Sequence, residues 1–377
     1  MLQAPMLQDC LAGVKVLDLS QYIPGPFATL LLADMGAEVV KVEPPQGDPM
    51  AAFEPRDADG VSPYYKAVNA GKTIVRLDLK TPEGQAQFAH LAARADVLLE
   101  SFRPGVMDRL GFGADRLRDL NPGLVHCALS GFGQTGPWRL RAGHDITYMA
   151  LAGVLGLNGP ADQPPHMPFP PVADHVSALV AVNAVLGALL RKGRTGEGAV
   201  LDVSIFESAL HLNYQALLLA VRGGGMDREG DLLNGGVACY RAYRCADGGF
   251  LAVGALEPKF WQAFCTAVGR SDWVARHTEP MPQTALIAEV AIHLEVHPLA
   301  HWAAVLDGVD CCVEPVLSPA EALDQPHVRE RALASRGGIG GAGGLDLRFP
   351  AWAGGQPPMP RHRSRQATAE EVVVAWA

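Results

Sequence analysis

Short apolar runs alternate with longer helix-like segments through the first 200 residues of the chain. Residues 15–19 predict a strand, residues 26–35 a helix and residues 37–43 a second strand. The sequence Pro24-Gly25-Pro26 supplies a sharp turn and a helix start between the first two elements. These segments therefore predict one βαβ unit.

The same alternation continues, with strands predicted at 73–79, 96–100, 124–130 and 199–204 and helices at 82–95 and from Asp174 to Leu190. Residues 1–204 thus predict a large Rossmann-like domain, an α/β fold with a doubly wound, mostly parallel sheet. The apolar run at 176–190 is shorter than the roughly 18 residues that a membrane span needs, which favours a buried helix.

The pattern changes after residue 204. Residues 205–240 predict a linker with a helix at 205–221, and the glycines around Asn234-Gly235-Gly236 mark a boundary. Residues 241–316 combine short strands with helices, which is typical of a small α+β domain. Residues 317–377 predict a linker, including a glycine-rich loop at 337–344, and a C-terminal return to the large domain.

Composition narrows the class of protein. The chain has 377 residues, 49% of them hydrophobic, and 31 basic against 40 acidic residues give a net charge of −9. This balance argues against nucleic-acid or membrane partners, which require basic surface. Seven cysteines, including the adjacent pair Cys311-Cys312, and the absence of an N-terminal signal pattern predict a reduced, cytoplasmic protein. No zinc-type ligand spacing occurs, so no metal is expected.

The glycine motif GFGQTG at residues 131–136 matches a dinucleotide-binding pattern only in letters. That pattern should open a helix in the first βα turn, whereas this copy comes late in the sheet and is followed by Pro137-Trp138. The sequence therefore predicts no nicotinamide, flavin or other prosthetic group.

A histidine and an aspartate are the candidates for acid–base chemistry. His144 lies in Gly143-His144-Asp145, where Asp145 could orient its imidazole, and Asp174 stands at a predicted helix start. The ordinary alternatives are a loop histidine and an N-cap aspartate. His175 is as readily a surface residue.

Basic residues near strand ends are candidates for phosphate binding. Arg103 directly follows an apolar strand, and Lys72, Lys80 and Arg109 lie near other strand ends or turns. For each lysine taken singly, solvated surface charge is the more frequent explanation.

Several stretches together resemble the class III CoA-transferase and α-methylacyl-CoA racemase family over nearly the whole chain. They include LAGVKVLDLSQYIPGPFATLLLADMGAEVVKVEPP, ADVLLESFRPGVMDRLGFG, AGHDITYMALAGVLG and YRCADGGFLAVGALEPKFW. The resemblance implies an interlocked homodimer, with the active site where one subunit's large domain meets the other's small domain.

The resemblance also implies an acyl-CoA substrate, with coenzyme A as part of that substrate, and a thioester directed toward His144 and Asp174. Pro44 departs from the pattern, because many family members have an arginine there near the adenine. The implied coenzyme A contacts are Tyr22, Ile23, Leu77, Asp78, Leu79, Lys80, Ser101, Phe102, Arg103 and Arg109.

Two chemistries remain open under this resemblance. Asp174 matches both the aspartate that carries CoA in the transferases and the acid–base aspartate of the racemases. His144 and Glu257 resemble the racemases, in which Glu257 would pair with His144 or Asp145. Against this, racemases usually follow the aspartate with phenylalanine and a glycine run, whereas residues 175–177 are His-Val-Ser. A glycine-rich covering loop typical of some transferases is not evident, and a non-catalytic acyl-CoA-binding subunit is the third alternative.

Overall fold

In the computed structural model, which describes residues 6–337, 339 and 344–377, the strands form one large parallel sheet and two small antiparallel sheets. The predicted loop at 337–344 lies partly outside these residues. The strands are β1 Lys15–Leu19, β2 Glu38–Glu43, β3 Thr73–Arg76, β4 Val97–Glu100, β5 Val125–Ser130, β6 Ala199–Ser204, β7 Tyr240–Arg244, β8 Phe250–Gly254, β9 Val313–Pro315, β10 Ala334–Arg336, β11 Leu345–Leu347 and β12 Arg365–Gln366.

The helices are α1 Pro24–Asp34, α2 Pro63–Val68, α3 Pro82–Ala92, α4 Val106–Arg109, α5 Ala114–Leu120, α6 Asp145–Leu151, α7 Val172–Thr195, α8 Ile205–Leu212, α9 Tyr214–Val221, α10 Pro258–Ala267, α11 Thr284–Leu294, α12 Leu299–Leu306, α13 Pro319–Leu323, α14 Pro326–Glu330 and α15 Ala369–Ala375. Short 3₁₀ helices lie at Leu7–Asp9, Pro49–Ala52, Leu155–Leu157 and Ser271–Arg276.

The chain forms two compact units. The first contains Met1–Ala152, Phe169–Leu212 and Leu323–Ala377, and the second contains Gly153–Pro168 and Asn213–Ala322. Residues 153–168 therefore group with the second unit, although the sequence assigned them to the large domain.

The large sheet belongs to the first unit and has the strand order β12-β3-β2-β1-β4-β5-β6, with every neighbouring pair parallel. This confirms the predicted Rossmann-like sheet. Leu17 of the central strand pairs with Val40 on one side and Leu98 on the other, and all three side chains are buried. The strand order reverses at β1, so a crevice opens between the loops that follow β1 and β4, where such sheets bind ligands.

Helix α7 differs from its predicted bounds at both ends. It begins at Val172 after Pro171, so Asp174 is the third helical residue and not the N-cap. It ends at Thr195, beyond the predicted Leu190, because the basic residues there suit a helix C-terminus, and Gly196 closes it at φ +73°.

The full 24 residues of α7 are long and apolar enough, by length and composition alone, to cross a membrane. The predicted fifteen-residue run was therefore an underestimate of the apolar helix. In the structure α7 packs against α1, α8, β5 and β6, as a core helix of the first unit does.

The helix predicted at 205–221 is two helices, α8 and α9, and α8 groups with the first unit while α9 groups with the second. The C-terminal residues return to the first unit, where β12 pairs with β3 and α15 packs on α3. The side chains of Val372 and Trp376 are buried there.

The second unit has its own core beneath the antiparallel sheet β7-β8-β9. Trp261 donates an indole hydrogen bond to the carbonyl of Trp273 at 3.1 Å, and Trp302 donates one to Leu294 at 2.8 Å. These satisfied indoles fix α10, α11 and α12 around an apolar centre.

Candidate active site

Two loops at the reversal of strand order form one edge of the candidate site. The chain turns through Ser20 and Tyr22 after β1, and through Ser101 and Arg103 after β4. The backbone N–H of Gln21 donates a hydrogen bond to the Ser101 hydroxyl at 3.0 Å, which joins the two loops.

A buried aspartate anchors the first loop. Asp18 accepts the Ser20 backbone N–H at 2.9 Å, the Thr29 hydroxyl at 2.6 Å and the Lys72 ammonium at 3.0 Å. Burial alone would raise the pKa of Asp18, but Lys72 and Lys41 hold it well below its usual range. The interpretation of Lys72 as solvated surface charge is wrong, since its side chain is buried.

A second buried ion pair supports the same loop from strand β2. The Lys41 ammonium donates to the Ser20 carbonyl at 2.6 Å and lies 3.0 Å from an Asp48 carboxylate oxygen. On the neighbouring loop, Glu100 accepts the Phe102 backbone N–H at 2.6 Å, and burial raises the pKa of Glu100 to about 7. Both loops are therefore held by buried carboxylates.

His144 and Asp174 line one cleft of about 320 Å³ in the first unit, which we call the His144–Asp174 cleft. It also brings together four residues that were predicted to contact coenzyme A: Tyr22, Ser101, Phe102 and Arg103.

A second cleft of about 220 Å³, the Lys80 cleft, shares Gln21 and Phe102 with the first. Pro44 lines it too, so an apolar ring occupies the corner where an arginine would stand. Neither cleft is lined by Ile23 or by Arg109, whose side chain is exposed on α4. Predicted coenzyme A contacts that line the Lys80 cleft are Leu77, Asp78, Leu79, Lys80 and Phe102.

Asp174 has a titratable carboxyl near neutral pH. It lies in the first turn of α7, and burial raises its pKa to about 7, with a further contribution from the negative charge of Asp145. The Asp145 carboxylate accepts the backbone N–H of Asp174 at 3.1 Å. The structure thus gives Asp145 a partner on α7, and not the predicted bond to the His144 ring.

His144 is exposed and precedes α6 as its N-cap. Its backbone N–H donates to the Thr147 hydroxyl at 2.9 Å, and that hydroxyl donates back to the His144 carbonyl at 2.7 Å. The side chain of His144 is exposed and lines the cleft, so a substrate in the cleft can reach the imidazole.

Two arginines in the His144–Asp174 cleft escaped the sequence-based prediction. Arg139 and Arg141 line it together with Arg103, and within the described part of the chain none of the three forms an ion pair. The signal was the basic stretch after Pro137, which follows the glycine motif. Three guanidinium groups give this cleft a cationic wall in a protein of net charge −9, which suits an anionic substrate.

Glu257 lies in the second unit as the residue before α10, with Pro258 at the first helical position. A proline at the first helical position is a common helix start, since its fixed φ suits the first turn. Its pairing with His144 or Asp145 stays a prediction.

The model of CoA-transferase family III matches residues 11–362. The chain belongs to this family. It is 37% identical to α-methylacyl-CoA racemase of Homo sapiens over 85% of this chain and 81% of the relative. It is 33% identical to acetyl-CoA:oxalate CoA-transferase of Acetobacter aceti, over 86% and 85% respectively. The resemblance found in the sequence is thereby confirmed.

Solved structures agree with this membership. A CaiB/BaiF family protein from Brucella suis superimposes with a TM-score of 0.83 at 26% identity, over 99% of both chains. A hypothetical protein from Mycobacterium tuberculosis gives a TM-score of 0.80 at 30% identity, also over 99% of both chains. The protein is thus an enzyme of the family III CoA-transferase and racemase superfamily with an α/β fold.

Proposed function

We propose that the protein is a racemase of 2-methylacyl-CoA thioesters. The observation that carries this proposal is the His144–Asp174 cleft, where Asp174 has a pKa raised to about 7 and the imidazole of His144 is available. A carboxyl that titrates near neutral pH can start a turnover either as base or as acid. The likeness to α-methylacyl-CoA racemase adds support.

The reaction needs one proton to leave and one to return. One of His144 and Asp174 removes the α-proton, and the C–H electron pair moves into an enolate of the thioester. The other residue then delivers a proton to the opposite face of the same carbon. Racemisation consumes no oxidant or cofactor, and the two residues exchange their protonation states in each turnover.

Coenzyme A would extend from this cleft into the Lys80 cleft. Arg103 and Lys80 offer cationic partners for phosphate oxygens, and the apolar lining of the Lys80 cleft suits an adenine ring. Tyr22, Ser101 and residues 77–79 would complete these contacts. Pro44 supplies no charge, so phosphate binding at that corner would rely on Lys80.

A homodimer is part of the proposal. The first unit exposes large apolar side chains that a second copy would cover, and the interlocked arrangement would bring the partner subunit's Glu257 toward His144. The exposed apolar residues of this unit include Phe169, Leu179, Val180, Leu190 and Val200. The seven free cysteines suit a reduced, cytoplasmic compartment.

CoA transfer between an acyl-CoA and a carboxylic acid is the second candidate. Here the Asp174 carboxylate would attack the thioester carbonyl and expel the CoA thiolate, which forms a mixed anhydride. The thiolate would then attack the Asp174 carbonyl of the anhydride, so that the acyl group leaves as a free carboxylate and CoA stays on Asp174 as an aspartyl thioester. The residues that follow Asp174, which depart from the usual racemase pattern, favour this alternative. The likeness to acetyl-CoA:oxalate CoA-transferase does so too.

The test uses one epimer of a 2-methylacyl-CoA in heavy water. The racemase proposal expects deuterium at the α-carbon together with loss of optical purity. Both His144→Ala and Asp174→Asn should slow the loss of optical purity by at least about 10²-fold, the usual size of a lost acid–base residue. A wild-type protein that exchanges no α-proton would exclude the racemase.

The same variants separate the alternatives. A transferase should lose activity chiefly in Asp174→Asn and should yield an Asp174 adduct with hydroxylamine after acyl-CoA is added. A protein that binds acyl-CoA without exchange or transfer would be the non-catalytic subunit.

A further inference from the structure

Tyr148 lies one helical turn after His144 and faces the same cleft. Its backbone N–H donates to the His144 carbonyl at 3.2 Å, and its side chain is only 6% exposed. The phenol packs edge-on against Phe132, with ring centroids 5.2 Å apart. Its position relative to the imidazole is therefore set by α6 and by packing.

Two glycines make room for the phenol. A Cβ on Gly131 would lie 2.4 Å from the Tyr148 hydroxyl oxygen, and a Cβ on Gly143 would lie 2.5 Å from the ring atom Cε1. Atoms do not approach so closely, so any side chain at either position would displace the phenol. Both glycines also line the His144–Asp174 cleft. Glycine at positions 131 and 143 therefore leaves the space that the side chain of Tyr148 occupies.

The hydroxyl of Tyr148 differs from those of other buried tyrosines. Tyr65 donates to Glu43 at 2.6 Å and Tyr243 donates to the Ala238 carbonyl at 2.8 Å. Within residues 6–337, 339 and 344–377, by contrast, no hydrogen bond forms at the Tyr148 hydroxyl. The Tyr148 oxygen is not among the buried side-chain atoms without a partner, so it reaches the surface of the cleft, where a ligand can accept a hydrogen bond from it.

We propose that Tyr148 is a further catalytic residue, whose hydroxyl donates a hydrogen bond to the thioester carbonyl oxygen of the substrate. This inference rests on the proposed racemase function. The carbonyl oxygen gains negative charge as the enolate forms, and a donor already fixed in place stabilises that charge more than it stabilises the ground state. No proton is transferred, so the proton balance between His144 and Asp174 is unchanged.

The environment of the phenol keeps it a donor. Burial raises the pKa of Tyr148 to about 12, with Asp174 adding to this effect and Arg103 opposing it. The hydroxyl therefore keeps its proton through the neutral range in which Asp174 titrates. Tyr148 can stabilise an oxyanion without competing as a base.

The test is Tyr148→Phe, which removes the hydroxyl and retains the ring between the two glycines. Tyr243→Phe is the matched control, since it removes a buried tyrosine hydroxyl from the second unit. We measure α-proton exchange in heavy water, the affinity for coenzyme A by calorimetry and thermal unfolding. Tyr148→Phe should lower kcat by about 10²- to 10³-fold, the usual effect of a lost oxyanion donor, with unchanged coenzyme A affinity. Tyr243→Phe should leave kcat unchanged.

Each other result overturns the proposal. If Tyr148→Phe keeps kcat within about threefold of an active wild type, the hydroxyl has no catalytic role. If it loses coenzyme A affinity or unfolds at a lower temperature along with activity, its role is structural. An inactive wild type that still binds acyl-CoA would instead count against the racemase function itself, which separates the two failures.

Discussion

Two aspartates of the first unit, the fully buried Asp18 and the partly buried Asp174, have pKa values shifted in opposite directions. Asp18, at the end of β1, has a pKa held well below its usual range, while Asp174, in the first turn of α7, has a pKa raised to about 7. Burial raises both values. The difference comes from their neighbours, because two ammonium groups and two hydroxyls face Asp18, whereas the charged group that acts on Asp174 is another carboxylate, Asp145.

The contrast separates a structural anion from a titratable group. Asp18 stays charged and holds the loop that contains Tyr22, so it supplies rigidity next to the cleft. Among the residues that the structure describes, Asp174 has no such partner, and a pKa of about 7 suits the acid–base role that we propose for it. The charged neighbours of each aspartate, and not its depth of burial, thus explain why the two pKa values shift in opposite directions.

Asp18→Asn should have the largest effect on stability. The substitution leaves the ammonium of Lys72 buried without its carboxylate, and loss of one partner of a buried ion pair typically destabilises by about 3–5 kcal/mol. Urea unfolding at pH 7 would measure the change. The double variant Asp18→Leu/Lys72→Met, which removes both charges, should be less destabilised. A single variant as stable as the wild type would show that the pair is not needed.

Asp174→Asn should stabilise the folded protein above neutral pH, whereas Asp18→Asn should destabilise it. Because the folded-state pKa is raised, the folded protein binds more protons than the unfolded chain between pH about 4 and 7, and stability falls as pH rises through this range. An amide avoids that ionisation. After discounting for partial exposure, we expect a gain of about 1–2 kcal/mol at pH 8 and none below pH 4. If the variant and the wild type had equal free energies of unfolding at both pH values, the raised pKa of Asp174 would be contradicted.

The positions of several parallel strands could be anticipated from the sequence because apolar periodicity reports burial directly. Strands β1 and β6 have the bounds that the sequence predicts. Lys72 could not be placed, since its aspartate partner is 54 residues away in the chain and a lysine usually faces solvent. Contacts distant in sequence decide such residues.

The candidate site, too, could be predicted from the sequence only in part. His144 and Asp174 were predicted from residue type and resemblance, and the structure brings them to one cleft. The hydrogen bond from the Asp174 backbone to Asp145 was not predicted, because it depends on how α6 meets α7. Arg139 was missed, because it lies in a loop without periodicity.

Thr29→Val tests whether hydrogen bonds or charges keep Asp18 ionised. The substitution keeps the shape of the side chain and removes the hydroxyl that donates to Asp18 at 2.6 Å. Since Lys72 and Lys41 remain, we expect a loss of about 1 kcal/mol in the free energy of unfolding, measured in urea. A loss as large as that of Asp18→Asn would mean that the hydroxyl, and not the ammonium groups, carries the effect.

Asp145→Asn should give the smallest change and the sharpest information on Asp174. Asparagine can still accept the Asp174 backbone N–H, but it removes the negative charge that adds to the raised pKa. We expect the pKa of Asp174 to fall, while burial still keeps it above its usual value. Asp145→Ala, which loses the hydrogen bond as well, is the control for a displaced α7.

The pH dependence of exchange reads out this shift for each epimer of the substrate. With the epimer that Asp174 deprotonates, kcat should rise with pH through about 7, because the carboxylate is the active form. With the other epimer Asp174 must begin protonated, so kcat should fall through the same range. In Asp145→Asn the rise of kcat for one epimer and its fall for the other should both move to lower pH. If kcat changed with pH in the same direction for both epimers, the exchange of protonation states between His144 and Asp174 would be contradicted. A transferase would give that result, since it needs the carboxylate of Asp174 in both directions.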